Sequence, residues 1–388
     1  MDEPPRGLGK GSRRPRRRFP EWAEPPIYAA VRAGAATINM VGAERSMRLM
    51  RGLGGAFAGL PFNRRRLDRA VENIGWCFPR WDRRLVREYA VESYRHLFCL
   101  AAEVAVTPRL LSADAYASHM EIGGLGDALR KLAGRGPCVL ITGHCGNWEL
   151  LGYALAVLGF PLHALYRPLD LAPLDEWVHQ TRSSRGLTLV DKFGAAHVLP
   201  ELFERGAPVG FIADQNAGDR GLFVPFFNRL ASAYKTVGLL AMRYNASVIC
   251  GQARRLSGLT QQRGAGPAEP PSELAREAQS FRYRIEVIDM FGPDDWRDQP
   301  DPLFYITARY RRAIETMVRR APEQYLWMHR YWKSRPPHEV RDRPFPAQLR
   351  EKIAALPWID ADDVEQIVDR SDRDAASLRE KARADPGP

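Results

Sequence analysis

The hydrophobic pattern divides the chain into a helical first part and a mixed body. Between residues 27 and 62, apolar positions are interrupted by arginines and by Glu44, so no window offers the roughly 20 mostly apolar residues of a membrane-spanning helix. We therefore predict one or two helices there, lying on a membrane surface or packed on the body. Residues 64–109 also have a helical pattern, with a turn at Pro79.

From residue 138 onwards, short apolar runs alternate with longer helical patterns. The apolar runs predict strands at 138–144, 162–166, 209–213, 246–254 and 283–288. The patterns between and after them predict helices at 147–158, 173–184, 195–205, 232–244 and 302–320. Such alternation favours an α/β fold with a central, mostly buried mixed sheet flanked by helices, preceded by an N-terminal helical membrane-associating segment.

These patterns divide the chain into four regions. We predict a disordered basic arm at 1–25, an N-terminal helical segment at 26–110, an α/β domain at 111–337 and a peripheral C-terminal tail at 338–388. A stretch rich in glycine, proline and glutamate at 257–278 is typical of a surface loop between two strands.

Charge and cysteine content narrow the class of protein. The 388 residues carry a net charge of +11, which suits an anionic membrane surface or a nucleic acid. No C2H2 spacing, RNP-like strand or basic heptad region is present in the sequence, so we expect no nucleic acid partner. The five scattered cysteines lack a CxxC pair, which predicts free thiols in a reducing compartment and no metal site.

The most informative chemistry lies in residues 141–149, where a predicted strand passes into a helix. Asn147 is a good N-cap residue, which puts Glu149 in the first helical turn. With His144 in the loop before the cap, its ring and the Glu149 carboxylate can meet. An ionised carboxylate can hold the imidazole tautomer whose other nitrogen acts as a base, and a reference pKa of about 6.5 suits proton abstraction near neutrality.

Two other interpretations of this segment stay open on the pattern alone. His144 could merely cap the helix. Cys145 could be the nucleophile, because a thiol at a helix N-terminus can be acidic.

Further polar residues stand at predicted strand ends. Asp214 follows an apolar strand, which is a common position for site residues in α/β folds. Arg167 precedes a proline at another strand end, and its guanidinium fork suits phosphate. Near the C-terminal end of the body, Arg330 and Lys333 stand among aromatic residues and suggest a phosphate-binding or interfacial patch.

Four blocks of the sequence resemble a known family. Gly143–Glu149 resembles the H-x4-D/E block of the glycerophospholipid acyltransferase superfamily, and more narrowly that of the lipid A biosynthesis (lauroyl/myristoyl) acyltransferases. The other blocks follow in the family's order and lie at 165–170, 213–227 and 321–330. The resemblance runs from about residue 64 to residue 335, although the spanning helix that usually opens these proteins has only a short, charged counterpart here.

This resemblance implies an O-acyltransferase that needs no metal and no cofactor. The donor would be an acyl thioester of acyl carrier protein or coenzyme A, and the acceptor a hydroxyl of a lipid A precursor or a related glycolipid. His144 would be the general base and Glu149 the carboxylate that orients it. The predicted substrate-binding residues are Arg167, Asp214, Gln215, Asn147, Arg330 and Lys333.

The expected partners are acyl carrier protein or acyl-coenzyme A, a lipid acceptor and an anionic membrane surface. The expected location is the cytoplasmic face of the inner membrane, with peripheral or monotopic attachment. One alternative is an acyltransferase of the phosphatidylinositol mannoside type, since those enzymes share the H-x4-D/E block and prefer acyl-coenzyme A. A non-enzymatic alternative is a basic protein that binds anionic lipid.

Overall fold

The computed structural model describes residues 20–112, 114–160, 162–183, 186–256 and 281–384. Most of the predicted basic arm and the whole of the loop predicted at 257–278 lie outside these residues. Within the described residues, no helix combines the length and the apolar character that crossing a membrane requires.

The described helices follow the predicted pattern closely. In chain order they are α1 (Glu24–Val41), α2 (Ala43–Ala58), α3 (Arg64–Cys77), α4 (Arg83–Leu110), α5 (Tyr116–His119), α6 (Gly126–Ala133), α7 (Trp148–Val157), α8 (Ala172–Ser183), α9 (Ala195–Glu204), α10 (Lys235–Tyr244), α11 (Pro293–Trp296), α12 (Pro302–Arg320), α13 (Pro337–Val340), α14 (Ala347–Ala354) and α15 (Ala361–Ala384).

The described strands form a seven-stranded sheet and a separate hairpin. They are β1 (Met120–Gly123), β2 (Cys138–Thr142), β3 (Leu162–Tyr166), β4 (Leu187–Asp191), β5 (Pro208–Ile212), β6 (Leu222–Pro225), β7 (Leu230–Ala233), β8 (Ser247–Arg255) and β9 (Tyr283–Phe291). The order in the sheet is β1-β9-β8-β2-β5-β3-β4, and β6 pairs with β7. Neighbouring strands of the sheet run parallel except β8 and β9, so the predicted mixed sheet flanked by helices is confirmed.

The middle of the sheet fixes where the site forms. On β2, Cys138 and Val139 point to opposite faces of the sheet and both are buried, as expected for a strand covered on both faces. In the parallel pairing of β2 with β5, Thr142 stands opposite Ile212. The chain leaves both strands at the same edge of the sheet, so the residues that follow them lie side by side.

The N-terminal helices belong to the same body as the sheet. On α3, Leu67 and Ile74 are buried in the main hydrophobic core, which also contains Val139 of β2. The helices α1 and α2 pack on α4. α3 and α4 are separated by residues 78–82, which contain the turn predicted at Pro79.

Four of the described strands were not predicted. β1 is too short to show a period, and β4 and β6 were not recognised. β7 occupies the beginning of the helix predicted at 232–244, which starts only at Lys235. All four residues of β7 are buried, and the Ser232 hydroxyl donates a hydrogen bond to the carbonyl of Gly218, so packing overrides the helical pattern there.

The C-terminal tail differs from the predicted peripheral segment. Ile367 of α15 is completely buried in the main core. The Asp374 carboxylate accepts hydrogen bonds from Arg229 Nε and Nη2 at 2.7 and 2.8 Å and from Arg335 Nη2 at 2.7 Å. The end of the chain is therefore joined to the body by a buried ion-pair network.

Removing this carboxylate should destabilise the whole protein. We expect Asp374→Asn to lower the free energy of unfolding by about 3 kcal/mol or more, because it leaves the buried guanidinium of Arg229 without its charge partner, while Arg335 keeps its pair with Glu339. Asp372→Asn removes the same charge from an exposed position of α15 and is the matched control. Urea denaturation of both variants measures the difference, and equal stability of the two would contradict the structural role of Asp374.

Candidate active site

The loop between β2 and α7 has a backbone that few residues could adopt. Gly146 has a φ of +58°, and a Cβ there would lie 2.3 Å from the carbonyl oxygen of Ala253 on β8. Its N–H donates to the carbonyl of Gln324 at 2.9 Å, and the N–H of Asn147 donates to the carbonyl of Ala253 at 2.7 Å. The loop is thus held between β8 and the segment that follows α12.

This loop presents His144 to Asp214, which follows β5. The Nδ1 atom of His144 lies 2.7 Å from Oδ1 of Asp214, and the backbone N–H of His144 donates to Oδ2 at 2.9 Å. Gly143 allows the close approach, because a Cβ there would lie 2.9 Å from Ile314 and 3.4 Å from the Cβ of Asp214. Asp214 is fully buried, whereas the His144 side chain is 17% exposed and so reaches the surface of the site.

The surroundings keep Asp214 ionised. Burial raises the pKa of its carboxyl, but the His144 charge, two hydrogen bonds from His144 and the positive charge of Arg311 outweigh burial and bring the pKa to about 2. Arg311, on α12, is itself buried and donates from Nη1 to the backbone carbonyl of Asp214 at 2.5 Å. This carboxylate therefore stays negative at neutral pH.

The contact with Asp214 also raises the pKa of the His144 imidazole. Burial lowers the pKa of His144, but the charge of Asp214, its hydrogen bond and the charge of Glu149 raise the pKa above its ordinary value in total. With Nδ1 bound to a carboxylate, neutral His144 carries its proton on Nδ1 and leaves Nε2 as a base.

Three side chains surround the outer part of this ring. Gln215 Nε2 lies 3.5 Å from Nε2 of His144. The ring centroids of Trp148 and His329 lie 4.9 and 5.2 Å from that of His144. Burial and the charge of His144 lower the pKa of His329 to about 4, so this second imidazole is neutral at pH 7. The sequence placed His329 in the last of the four blocks but gave no reason to single it out.

A cavity of about 290 Å³ opens at His144 and extends along the sheet beneath α7. Its inner wall is almost entirely apolar and includes Leu140, Leu151, Gly152, Leu155, Leu162 and Leu187. Its mouth carries polar groups, namely His144, Glu149, Tyr166, Arg167 and Arg182. The shape and lining suit a hydrocarbon chain whose polar end stops at the imidazole.

Glu149 does not occupy the position that the sequence predicted for it. Its Oε1 accepts a hydrogen bond from Arg182 Nη2 at 2.5 Å, while Nδ1 of His144 is taken by Asp214. Because Glu149 points from the first turn of α7 towards α8, it meets the guanidinium at the cavity mouth. Its influence on His144 is limited to its charge.

Known proteins are similar in sequence to this chain over most of its length. The family model of bacterial lipid A biosynthesis acyltransferases matches residues 18–262, well over half of the chain. The chain belongs to this family. It is 27% identical over 279 residues to the lipid A biosynthesis palmitoleoyltransferase of Escherichia coli (strain K12), covering 71% of this chain and 81% of that protein.

Two further relatives agree with this assignment. The lipid A biosynthesis lauroyltransferase of Escherichia coli (strain K12) is 24% identical over 282 residues, which cover 71% of this chain and 82% of that protein. A lipid A biosynthesis acyltransferase of Haemophilus influenzae is 22% identical over 273 residues, which cover 69% and 76%. The predicted enzyme class, an acyltransferase, is confirmed.

The thiol next to the imidazole is unsuited to catalysis in this acyltransferase. Cys145 is buried, and burial together with the charge of Asp214 raises its pKa far above the usual range. Its Sγ lies 3.8 Å from Sδ of Met317, in the core beneath the loop. The interpretation of Cys145 as a nucleophile is therefore wrong, because a buried thiol neither ionises nor reaches a substrate.

The remaining predicted residues of the acyltransferase fall into two groups. Arg167 lines the cavity mouth with an exposed side chain, and Arg330 and Lys333 are exposed on the segment after His329. Asn147, by contrast, is buried: its side chain caps α7 at the N–H of Leu150 and donates to Glu103 at 2.7 Å. Its predicted contact with substrate is replaced by this structural role.

The two carboxylates near His144 should differ in their effect on its titration. We expect the His144 pKa, measured by NMR of the imidazole Cε1–H signal, to fall strongly in Asp214→Asn, because the hydrogen-bonded charge favours the imidazolium. Glu149→Gln should lower it only slightly, since no hydrogen bond to the ring is lost. His144→Gln identifies the signal. A larger drop in Glu149→Gln than in Asp214→Asn would contradict the geometry.

Proposed function

We propose that this chain is an O-acyltransferase that moves a fatty acyl group from an acyl thioester to a hydroxyl of a lipid A precursor or a closely related glycolipid. The observation that carries the proposal is the apolar cavity ending at an imidazole backed by a buried carboxylate. Membership of the acyltransferase family supports the same reaction class. It also argues against the non-enzymatic, lipid-binding alternative.

In the proposed step, Nε2 of His144 removes the proton of the acceptor hydroxyl while its oxygen attacks the thioester carbonyl carbon. The carbonyl oxygen gains the negative charge in the tetrahedral intermediate. When the C–S bond breaks, an ester forms and the thiolate leaves, taking the proton back from the imidazolium. Such general-base help typically contributes roughly 10²–10⁴ in rate.

Asp214, in this scheme, is the positioning residue for the base. Its carboxylate fixes the tautomer of His144 and stabilises the imidazolium formed during attack, which is the role of the carboxylate in a serine hydrolase triad. Gln215 lies close enough to Nε2 for its amide to donate a hydrogen bond to the developing oxyanion. Glu149 and Arg182 would shape the cavity mouth.

Both candidate donors present the same chemistry at the cavity. Acyl carrier protein and coenzyme A each carry the acyl chain as a thioester on a phosphorylated arm. With the chain inside the apolar cavity, that arm would leave past Arg167, whose exposed guanidinium suits its phosphate. No metal ion or cofactor takes part in the proposed step.

A direct assay tests the reaction and the roles of the two carboxylates. Purified full-length protein is given acyl carrier protein or coenzyme A thioesters with a lipid A precursor or a phosphatidylinositol mannoside, and the products are identified by mass spectrometry. We expect acylated lipid A precursor, and a fall in kcat of about 100-fold or more for His144→Gln and Asp214→Asn. Glu149→Gln breaks a partly exposed ion pair, so we expect less than about a 10-fold loss.

The pH profile separates a positioning role from mere structural damage. The wild-type rate should fall as the pH drops below the raised pKa of His144, because only the neutral ring is a base. In Asp214→Asn that acid limb should move to lower pH. Transfer to the mannoside alone, or full activity of His144→Gln, would refute the proposed function.

We further propose attachment to the cytoplasmic face of the inner membrane without a spanning helix. The N-terminal segment exposes large apolar side chains, with Met40 of α1 at 88% and Phe62, between α2 and α3, at 70%, and neighbouring arginines would meet anionic headgroups. On α2, Leu49 and Leu53 are exposed one turn apart. The free thiols of the described cysteines suit the reducing side of the membrane.

Charge on this apolar face should weaken membrane binding. We expect Leu49→Glu combined with Leu53→Glu to reduce co-sedimentation with anionic phospholipid vesicles about 10-fold, because two apolar side chains can no longer enter the interface. Val340→Glu alters another exposed apolar residue, on α13, and is the control. Unchanged vesicle binding of the double variant would show that α2 does not face the membrane.

A further inference from the structure

α3 runs beside the chain segment that carries His329. Asn73 Nδ2 donates to the carbonyl oxygens of Trp327 at 2.8 Å and His329 at 3.1 Å. One turn earlier on the same face of the helix, Arg69 Nη1 donates to the carbonyl oxygen of Met328 at 3.1 Å. Both side chains of α3 thus anchor the segment whose imidazole lies next to His144.

Three arginines gather at this junction. Arg66 and Arg69 are three residues apart on α3 and therefore share a face, and Arg330 directly follows His329. Burial and then the charge of Arg330 lower the pKa of Arg69, Tyr94 raises it, Arg66 lowers it further, and Glu72 raises it least. Both other arginines thus lie close enough to Arg69 for their charges to act on it.

The arginines of this cluster are not paired with carboxylates in the described part of the chain. Among the described residues, no Asp or Glu oxygen lies within 4 Å of a guanidinium nitrogen of Arg66, Arg69 or Arg330. Elsewhere, Arg254 and Arg284 form such pairs, at 3.1 and 2.6 Å. A group of like charges without a counter-ion is unfavourable by itself and favours binding of an anion.

The position of the cluster separates it from the acyl cavity. The ring of His329 lies 5.2 Å from that of His144, and Arg330 follows His329 directly in the chain. The cavity is lined by residues of β2 to β5, α7 and α8, and, as far as the described part of the chain goes, by none of Arg66, Arg69, His329 or Arg330. The arginine cluster therefore lies outside the lining of the acyl cavity.

We infer that Arg66, Arg69 and Arg330 bind a phosphate group of the acceptor lipid and so hold its hydroxyl against Nε2 of His144. The inference rests on the proposed function, and it adds which residues recognise the phosphate of the acceptor. Phosphate oxygens accept paired hydrogen bonds from guanidinium groups, which gives orientation as well as affinity. The donor's own phosphates would lie at the cavity mouth, near Arg167.

Matched acceptors with and without the phosphate test this directly. In detergent micelles, we expect Arg66→Gln and Arg330→Gln each to raise the KM of the full-length enzyme for the phosphorylated acceptor about 10-fold, the loss typical of a charge-assisted hydrogen bond. The KM for the dephosphorylated acceptor and for the thioester donor should stay unchanged. Both residues are exposed, so the variants should fold.

Arg65→Gln is the matched control. It removes the same charge from an exposed position of the same helical turn but from a neighbouring face, and we expect wild-type kinetics. An equal KM change for both acceptors, or an effect of Arg65→Gln as large as that of Arg66→Gln, would overturn the inference. So would a change in the donor KM alone, which would mean that the arginines contact the carrier.

Vesicles and a binding experiment separate the remaining sources of phosphate. If the variants lose activity only when anionic phospholipid is present, the arginines bind the membrane and the inference is wrong. Equilibrium binding of both acceptors to His144→Gln protein tests phosphate recognition without turnover. If the wild-type enzyme acylates both acceptors with equal KM, only this inference is refuted. If the wild-type protein acylates neither acceptor, the proposed function is refuted.

Discussion

The hydrogen bond between His144 and Asp214 exists because β2 and β5 are parallel neighbours that end at the same edge of the sheet. Their register places Thr142 opposite Ile212, so the residues two positions further along meet without any long loop. The carboxylate is then buried beneath the imidazole and kept ionised by it and by Arg311. The apolar cavity opens at this pair, and the ring of His329 lies 5.2 Å from that of His144.

The register also explains which part of the site the sequence could predict. Apolar runs identified β2 and β5, and a histidine and an aspartate at their ends were both recognised as candidates. Local spacing, however, joined His144 to Glu149, five residues away, whereas Asp214 lies 70 positions further on. Pairing across strands depends on sheet order, and no periodicity within either strand specifies which strand lies beside it.

Similar reasoning accounts for the other differences. Asn147 was expected to bind substrate because it belongs to a family-like block, but the buried Glu103 on α4 takes its amide. The α15 helix was predicted to be peripheral because its sequence is polar, yet its few inward residues meet Arg229 and Arg335. Buried charge pairs between distant segments leave no local pattern in the sequence. Helices and strands do leave periodic patterns of apolar residues, and these patterns predicted most elements of the fold.

The contacts of Asn73 have a consequence for the architecture of the enzyme. This residue of α3 holds the carbonyls of Trp327 and His329, and thereby a wall of the site built from the other end of the chain. The N-terminal helical segment is consequently not a detachable addition to the α/β body. A shortened form that began at the first strand would lose this clamp on one wall of the candidate site, so the geometry around His144 depends on a helix that precedes the sheet in the chain.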